Sequence, residues 1–167
     1  MATRVTAPRI GLAALAAGLV VLATACGGSS PKSGVAGAMH ATKSATVTTR
    51  KVGKLGVILV NSHGRTLYMF EPDHRKKVTC THSCAAAWPP LKLKKGRRPT
   101  AGGAARRKLL GTDANPGGGR VVTYSRWPLY TYAGDVKAGQ ATGQGLNLNG
   151  GLWYVLSPSG KLIKKSP

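Results

Sequence analysis

Residues 67–73 read LYMFEPD and residues 129–135 read LYTYAGD. A chain of 167 residues with one phenylalanine, five tyrosines and four acidic residues places these scarce groups twice in the same order. Alternate residues of a strand share a face, so Tyr68 and Phe70 point one way, as do Tyr130 and Tyr132. Such a pair supplies core to a small domain, each ring burying roughly 150–250 Å². Asp73 and Asp135 stand where each strand ends, and an aspartate there accepts backbone N–H bonds and fixes the turn. The two carboxylates also form a pseudo-symmetric pair that could hold a cation or share a proton. Against this, two carboxylates make no calcium cage without carbonyls to complete it, and no nucleophile accompanies them.

Outward from the motif, residues 55–60 are a short apolar run, Asn61-Ser62-His63-Gly64 is turn chemistry, and residues 65–70 resume as a strand. The pair predicts a β-hairpin. The alanine-rich residues 83–88 predict one short helix, ended by Pro89-Pro90. Residues 92–119, rich in Lys, Arg and Gly, predict a long mobile loop. Strand signals return at RVVTYS (120–125), WPLYTYAGD (127–135), LWYVLSP (152–158) and GKLIKK (160–165), while residues 139–151 carry five glycines and predict a loop. Trp88 follows Tyr68 by twenty residues and Trp153 follows Tyr130 by twenty-three, a period of about sixty that reads as a repeat. The expectation is a mainly β fold: a small two-repeat antiparallel β domain over 55–164 with one short helix. Repeat 1 covers about 55–91, the basic loop 92–119, and repeat 2 about 120–164.

The chain opens MATRVTAPRIGLAALAAGLVVLATAC, with Arg4 and Arg9 ahead of an uncharged stretch from 10 to 25. A charged segment before sixteen such residues, too few for a comfortable membrane span, reads as an export signal. Leu22-Ala23-Thr24-Ala25-Cys26 resembles the lipobox of bacterial lipoproteins, although Ala23 stands where the leucine belongs and Leu22 is one place early. The resemblance implies a signal peptide over 1–25 and a diacylglycerol thioether on Cys26. The alternative is an ordinary signal cut near Ala25, leaving Cys26 as a thiol. Residues 26–54, rich in Gly, Ser, Ala, Thr and Lys, predict a flexible tether. Each buried methylene contributes about 0.8 kcal/mol, so two or three acyl chains hold firmly. The expected location is the extracytoplasmic face of the cell membrane, lipid-anchored.

Twenty-five Lys plus Arg against four Asp plus Glu give a net charge of +21, or +19 without Arg4 and Arg9. Local ion pairs cannot absorb that excess, so its counterpart is solvent, counterions or an anionic surface. Outside a membrane the candidate partners are anionic lipid and cell-wall polymer. Export and the absence of aromatics among the basic runs argue against nucleic acid.

Cys80 and Cys84 bracket three residues in a chain bound for an oxidising compartment, and a disulfide is the simplest outcome. It needs no cofactor. The competing reading is a copper or zinc site, or a thiol-redox centre, in which Cys80, His82 and Cys84 act with His63, His74 and Met69 nearby.

Taken together, the two motif copies resemble a bacterial family of lipoproteins with a Y-x-(F/W/Y)-x-x-D motif, also described as secreted repeats of unknown function. Tyr68, Phe70 and Asp73 match one copy; Tyr130, Tyr132 and Asp135 match the other. CTHSCAAAWPPL resembles the family's C-x-x-x-C followed by W-P-P-L, and GDVKAGQATGQG with LWYVLSPSG resembles its closing segment. The similarity runs from about 52 to 164. It implies an envelope location and a β-rich repeat fold, and no known activity. The expected function is a non-enzymatic binding or structural module at the anionic envelope, with the metal or redox protein as the alternative.

Overall fold

The computed structural model describes residues 46–73 and 77–167. The expected signal peptide, Cys26, most of the expected tether and His74 lie outside the described residues. The strands are β1 (Val47–Val52), β2 (Gly56–Asn61), β3 (Tyr68–Phe70), β4 (Lys92–Leu93), β5 (Leu110–Ala114), β6 (Arg120–Tyr124), β7 (Trp127–Pro128), β8 (Asn147–Leu148) and β9 (Gly151–Val155). Among the described residues one α-helix, α1 (Ser83–Ala87), lies between β3 and β4. The named strands pair antiparallel: β1 with β2, β9 between β3 and β8, and β6 between β4 and β5 with β7 also on β6. The fold is therefore mainly β, with two repeat regions and one helix.

The apolar runs are continuous because both faces of the strands are covered. Ile58, Val60, Tyr68, Phe70, Val121, Tyr130 and Val155 belong to one apolar cluster, and Leu59, Leu67, Met69, Val122, Leu129 and Leu156 belong to a second. Successive side chains of a strand point to opposite faces, so one run feeds two cores at once. Trp88 and Trp153, the largest fully buried side chains, sit in the first cluster.

Each repeat is completed by the other. β3 of the first half pairs with β9 of the second, with Phe70 opposite Trp153 and Tyr68 opposite Val155. Conversely, β4 of the first half pairs with β6 of the second, and Thr131 N–H donates to Pro89 O at 2.9 Å. The hairpins are bound in the same crossed manner: Leu59 N–H donates to Leu156 O at 3.1 Å and Val122 N–H to Leu91 O at 2.8 Å. The halves are interleaved, and each closes its sheet on strands from its counterpart.

Three boundaries differ from the sequence expectation. The expected tether reached residue 54, yet β1 occupies Val47–Val52 and pairs along its whole length with β2. Its sequence VTTRKV buries only Val47, so its β-branched character was masked by its polarity. The predicted hairpin of 55–60 with 65–70 is only partly present. Residues 65–67 fold back on β2 through the Val60–Thr66 bridge and the bond from Leu67 N–H to Leu59 O, before β3 departs to β9. Finally, the expected loop over 92–119 contains β4 and all of β5.

Candidate functional site

The motif aromatics and carboxylates meet at the seam between the halves, and they meet crossed. Tyr68 and Tyr130 face each other in a two-way backbone bridge, each N–H donating to the other's carbonyl at 2.8 and 2.9 Å. The Tyr68 hydroxyl then donates to Asp135 Oδ2 at 2.7 Å, and the Tyr130 hydroxyl to Asp73 Oδ2 at 2.6 Å. Each tyrosine thus grips the aspartate of the other repeat. The second carboxylate oxygen is held locally. Asp73 Oδ1 accepts the Thr79 N–H at 2.8 Å and its hydroxyl at 2.7 Å, and Asp135 Oδ1 accepts the Thr142 N–H at 2.8 Å and its hydroxyl at 2.6 Å. The turn-fixing role expected for the aspartates is half of what they do. Thr79 and Thr142 follow their aspartates by six and seven residues, a spacing that carries no local turn signal in the sequence.

Both carboxylates are buried and both oxygens of each are engaged by protein donors, so neither presents a solvent-facing oxygen to a cation. Burial pushes the Tyr68 and Tyr130 phenols well above their ordinary value, and the neighbouring carboxylates push the same way. Burial also raises the Asp73 carboxyl, while the bonds from Tyr130 and Thr79 oppose the rise.

The remaining motif aromatics build a column across the same seam. Tyr132 stacks on Trp88 at 4.1 Å, Trp88 on Trp153 at 3.8 Å, and Trp153 on Phe70 at 4.2 Å between ring centres. Tyr68 and Tyr130 meet Trp88 and Trp153 edge-on at 5.4 and 5.3 Å. The second motif aromatic of each half therefore stacks on the tryptophan of the other. Gly143 lies against this column: a Cβ there would come within 2.7 Å of Trp88 and 3.0 Å of Tyr68, and its N–H reaches the Tyr68 hydroxyl at 3.2 Å.

Cys80 and Cys84 form a disulfide with Cα atoms 5.2 Å apart. The metal alternative gains no support: the two sulfurs it required as thiolates are bonded to each other, and Met69 is buried in the second apolar cluster. His82 lines a small cavity of about 170 Å³ beside the disulfide, and His63 lies in the turn after β2 against Ser62. No group of three or more His, Cys, Asp or Glu able to hold a metal occurs among the described residues.

The basic segment between the halves is pinned to the β framework, contrary to its expected mobility. Val47 N–H donates to Thr100 O at 3.1 Å, Gly102 N–H to Val47 O at 2.9 Å, and Ala104 N–H to Thr49 Oγ1 at 3.0 Å. Gly103 permits this approach, since a Cβ would stand 2.5 Å from Thr49 Oγ1. Farther along, Arg106 N–H donates to the Tyr124 hydroxyl at 2.7 Å. Arg97, Arg98, Arg107 and Arg120 line an open groove of about 540 Å³ with no acidic residue in its wall.

Two stretches, 48–92 and 111–157, match one family model, described as a secreted repeat of unknown function. Each stretch carries one hairpin, one motif and one column tryptophan. The chain belongs to this secreted-repeat family. It matches no curated protein and no solved structure. In this secreted-repeat protein the shared motif joins the repeats, whereas most of the basic segment, including Arg97, Arg98 and Arg107, lies between the matched stretches.

Proposed function

We propose that this secreted-repeat protein is a non-enzymatic binding module of the cell envelope, anchored through acylated Cys26 at the extracytoplasmic face of the membrane. Its partners are anionic lipid or cell-wall polymer, met through surface charge, and it needs no cofactor. The observation that carries the reading is the fate of the acidic residues. Of four in the chain, Asp73 and Asp135 are spent inside the crossed bonds, leaving the basic surface almost unbalanced. Basic residues near an anionic membrane contribute about 1 kcal/mol each, within a Debye length of the surface. Five of the six motif residues are buried in the core and Tyr132 is half-buried against it, which directs attention away from them as a reaction centre.

Fractionation and sedimentation test the two parts separately. Wild-type chain is expected with membranes and the Cys26→Ser chain in the soluble fraction. The Cys26→Ser chain is expected to sediment with phosphatidylglycerol vesicles or purified wall polymer at low salt and to be released as salt rises. Membrane retention of Cys26→Ser after a high-salt wash would contradict the anchor. Failure to bind either anionic material would contradict the binding role.

A further inference from the structure

The groove lined by Arg97, Arg98, Arg107 and Arg120 is more than a share of the net charge. We infer that it is a binding track for a linear polyanion whose repeating groups each offer two oxygens, as a phosphodiester or carboxylate polymer does. The inference rests on the envelope-binding reading and names the site and ligand geometry within it.

Three observations carry it. First, all four charged side chains in the wall are arginines, whose planar forks grip two oxygens of one group, where lysine is a point charge. Second, the arginines spring from fixed backbone. Arg120 Nε–H donates to Thr112 Oγ1 at 2.7 Å and Nη2–H to Thr112 O at 2.9 Å, which orients the guanidinium and leaves Nη1 for a ligand. Arg107 follows the Arg106–Tyr124 tie, Arg97 closes the turn on Lys94 O, and Arg98 lies between that turn and the Thr100 anchor on β1. Sites that need little ordering on binding lose less entropy. Third, the groove continues. A concavity of about 210 Å³ is walled by Lys92, Lys94, Arg97 and Arg98, and another of about 340 Å³ by Lys94, Lys95, Arg97 and Arg120. Three adjoining hollows with common walls suit a strand better than a single ion. A bilayer is a poorer fit, because the exposed large apolar residues Val57, Val136 and Leu148 do not line the track.

Fluorescence anisotropy with labelled poly(glycerol phosphate) and labelled polyglutamate, alongside phosphatidylglycerol vesicles, tests the assignment on full-length chains carrying Cys26→Ser. Replacing Arg97, Arg98, Arg107 and Arg120 together by Gln is expected to weaken polymer binding at least about tenfold, through loss of charge-assisted forks. The log–log salt slope is expected to fall by about 3, the value for four contacts on a single strand. The Arg→Lys set at the same positions, with unchanged net charge, is expected to bind several-fold more weakly than the arginine groove. A control with Lys54, Lys137, Lys161 and Lys164 changed to Gln loses the same charge elsewhere and is expected to change affinity less than about threefold. The two polymers separate phosphate from carboxylate as the preferred group. Equal loss in the groove and control sets would overturn the track while leaving charge-driven binding intact, and so would groove dependence seen with vesicles alone. No binding by the parent chain to polymer or vesicle would overturn the envelope reading itself. All substituted arginines are exposed, and unchanged near-ultraviolet circular dichroism confirms that each variant is folded.

Discussion

Between Asp73 and Trp88 the first repeat has Thr79, the Cys80–Cys84 disulfide and α1; between Asp135 and Trp153 the second has Thr142, Gly143 and the short strand β8. Both routes deliver an aspartate clasped by a threonine and a tryptophan laid in the ring column. Their details differ in one telling place. The Trp153 indole N–H donates to Leu148 O at 3.0 Å, whereas the buried Trp88 indole N–H has no partner among the described residues. The covalent staple stands in the half whose tryptophan lacks that bond. The crossed junction is the same in both repeats, whereas the connection that feeds it differs.

The strongest blow to that junction is removal of a column ring. Trp88→Ala and Trp153→Ala are each expected to lower stability by about 3–5 kcal/mol, with Trp153→Ala the worse because it also orphans Leu148 O. Each tryptophan stacks on two rings of the opposite half, so calorimetry and circular dichroism should still report a single transition. Two separated transitions would mean that the halves fold independently.

Next in size is the alkaline response. The folded Tyr68 and Tyr130 phenols are held above their ordinary value, so above pH about 10 the unfolded chain releases protons that the folded chain keeps. Their contribution is complete below that pH and is lost as pH rises, at about 1.4 kcal/mol per pH unit for each tyrosine. The Tyr68→Phe/Tyr130→Phe chain is expected to lose most of this slope in denaturant titrations across that range. An unchanged slope would show that the two phenols titrate freely in the folded protein. Breaking the disulfide with Cys80→Ser/Cys84→Ser is expected to cost about 2 kcal/mol, the loop-closure value for so short a ring, and to leave the fold in place. Abolished folding would show that the first repeat depends on its staple where the second has none. Smallest of all, single Arg→Gln changes in the basic groove are expected within about 0.5 kcal/mol of the parent in melting experiments.

Much of this architecture is legible in the sequence. The period of the motif, the one-sided pairing of Tyr68 with Phe70 and Tyr130 with Tyr132, the short helix before Pro89 and the disulfide all follow from local chemistry. What local chemistry does not carry is the choice between two equivalent partners. Tyr68 has an aspartate five residues away and another in the other repeat, and nothing in LYMFEPD distinguishes them; the exchange of closing strands does. β1 was hidden because VTTRKV buries one side chain, and the basic segment read as mobile because its order comes from Thr46, Thr49 and Thr100 rather than from an apolar pattern of its own. The arginine groove is assembled from residues 97 to 120, which become neighbours only after that segment is tied down.

A double-mutant cycle tests the crossed junction most directly. Stability is measured by denaturant unfolding for Tyr68→Phe, Asp135→Asn, Asp73→Asn, and the two doubles that pair Tyr68→Phe with each aspartate change. The crossed junction predicts a coupling of about 1–3 kcal/mol between Tyr68 and Asp135 and less than about 0.5 kcal/mol between Tyr68 and Asp73. The reverse order, with the larger coupling inside one repeat, would contradict it.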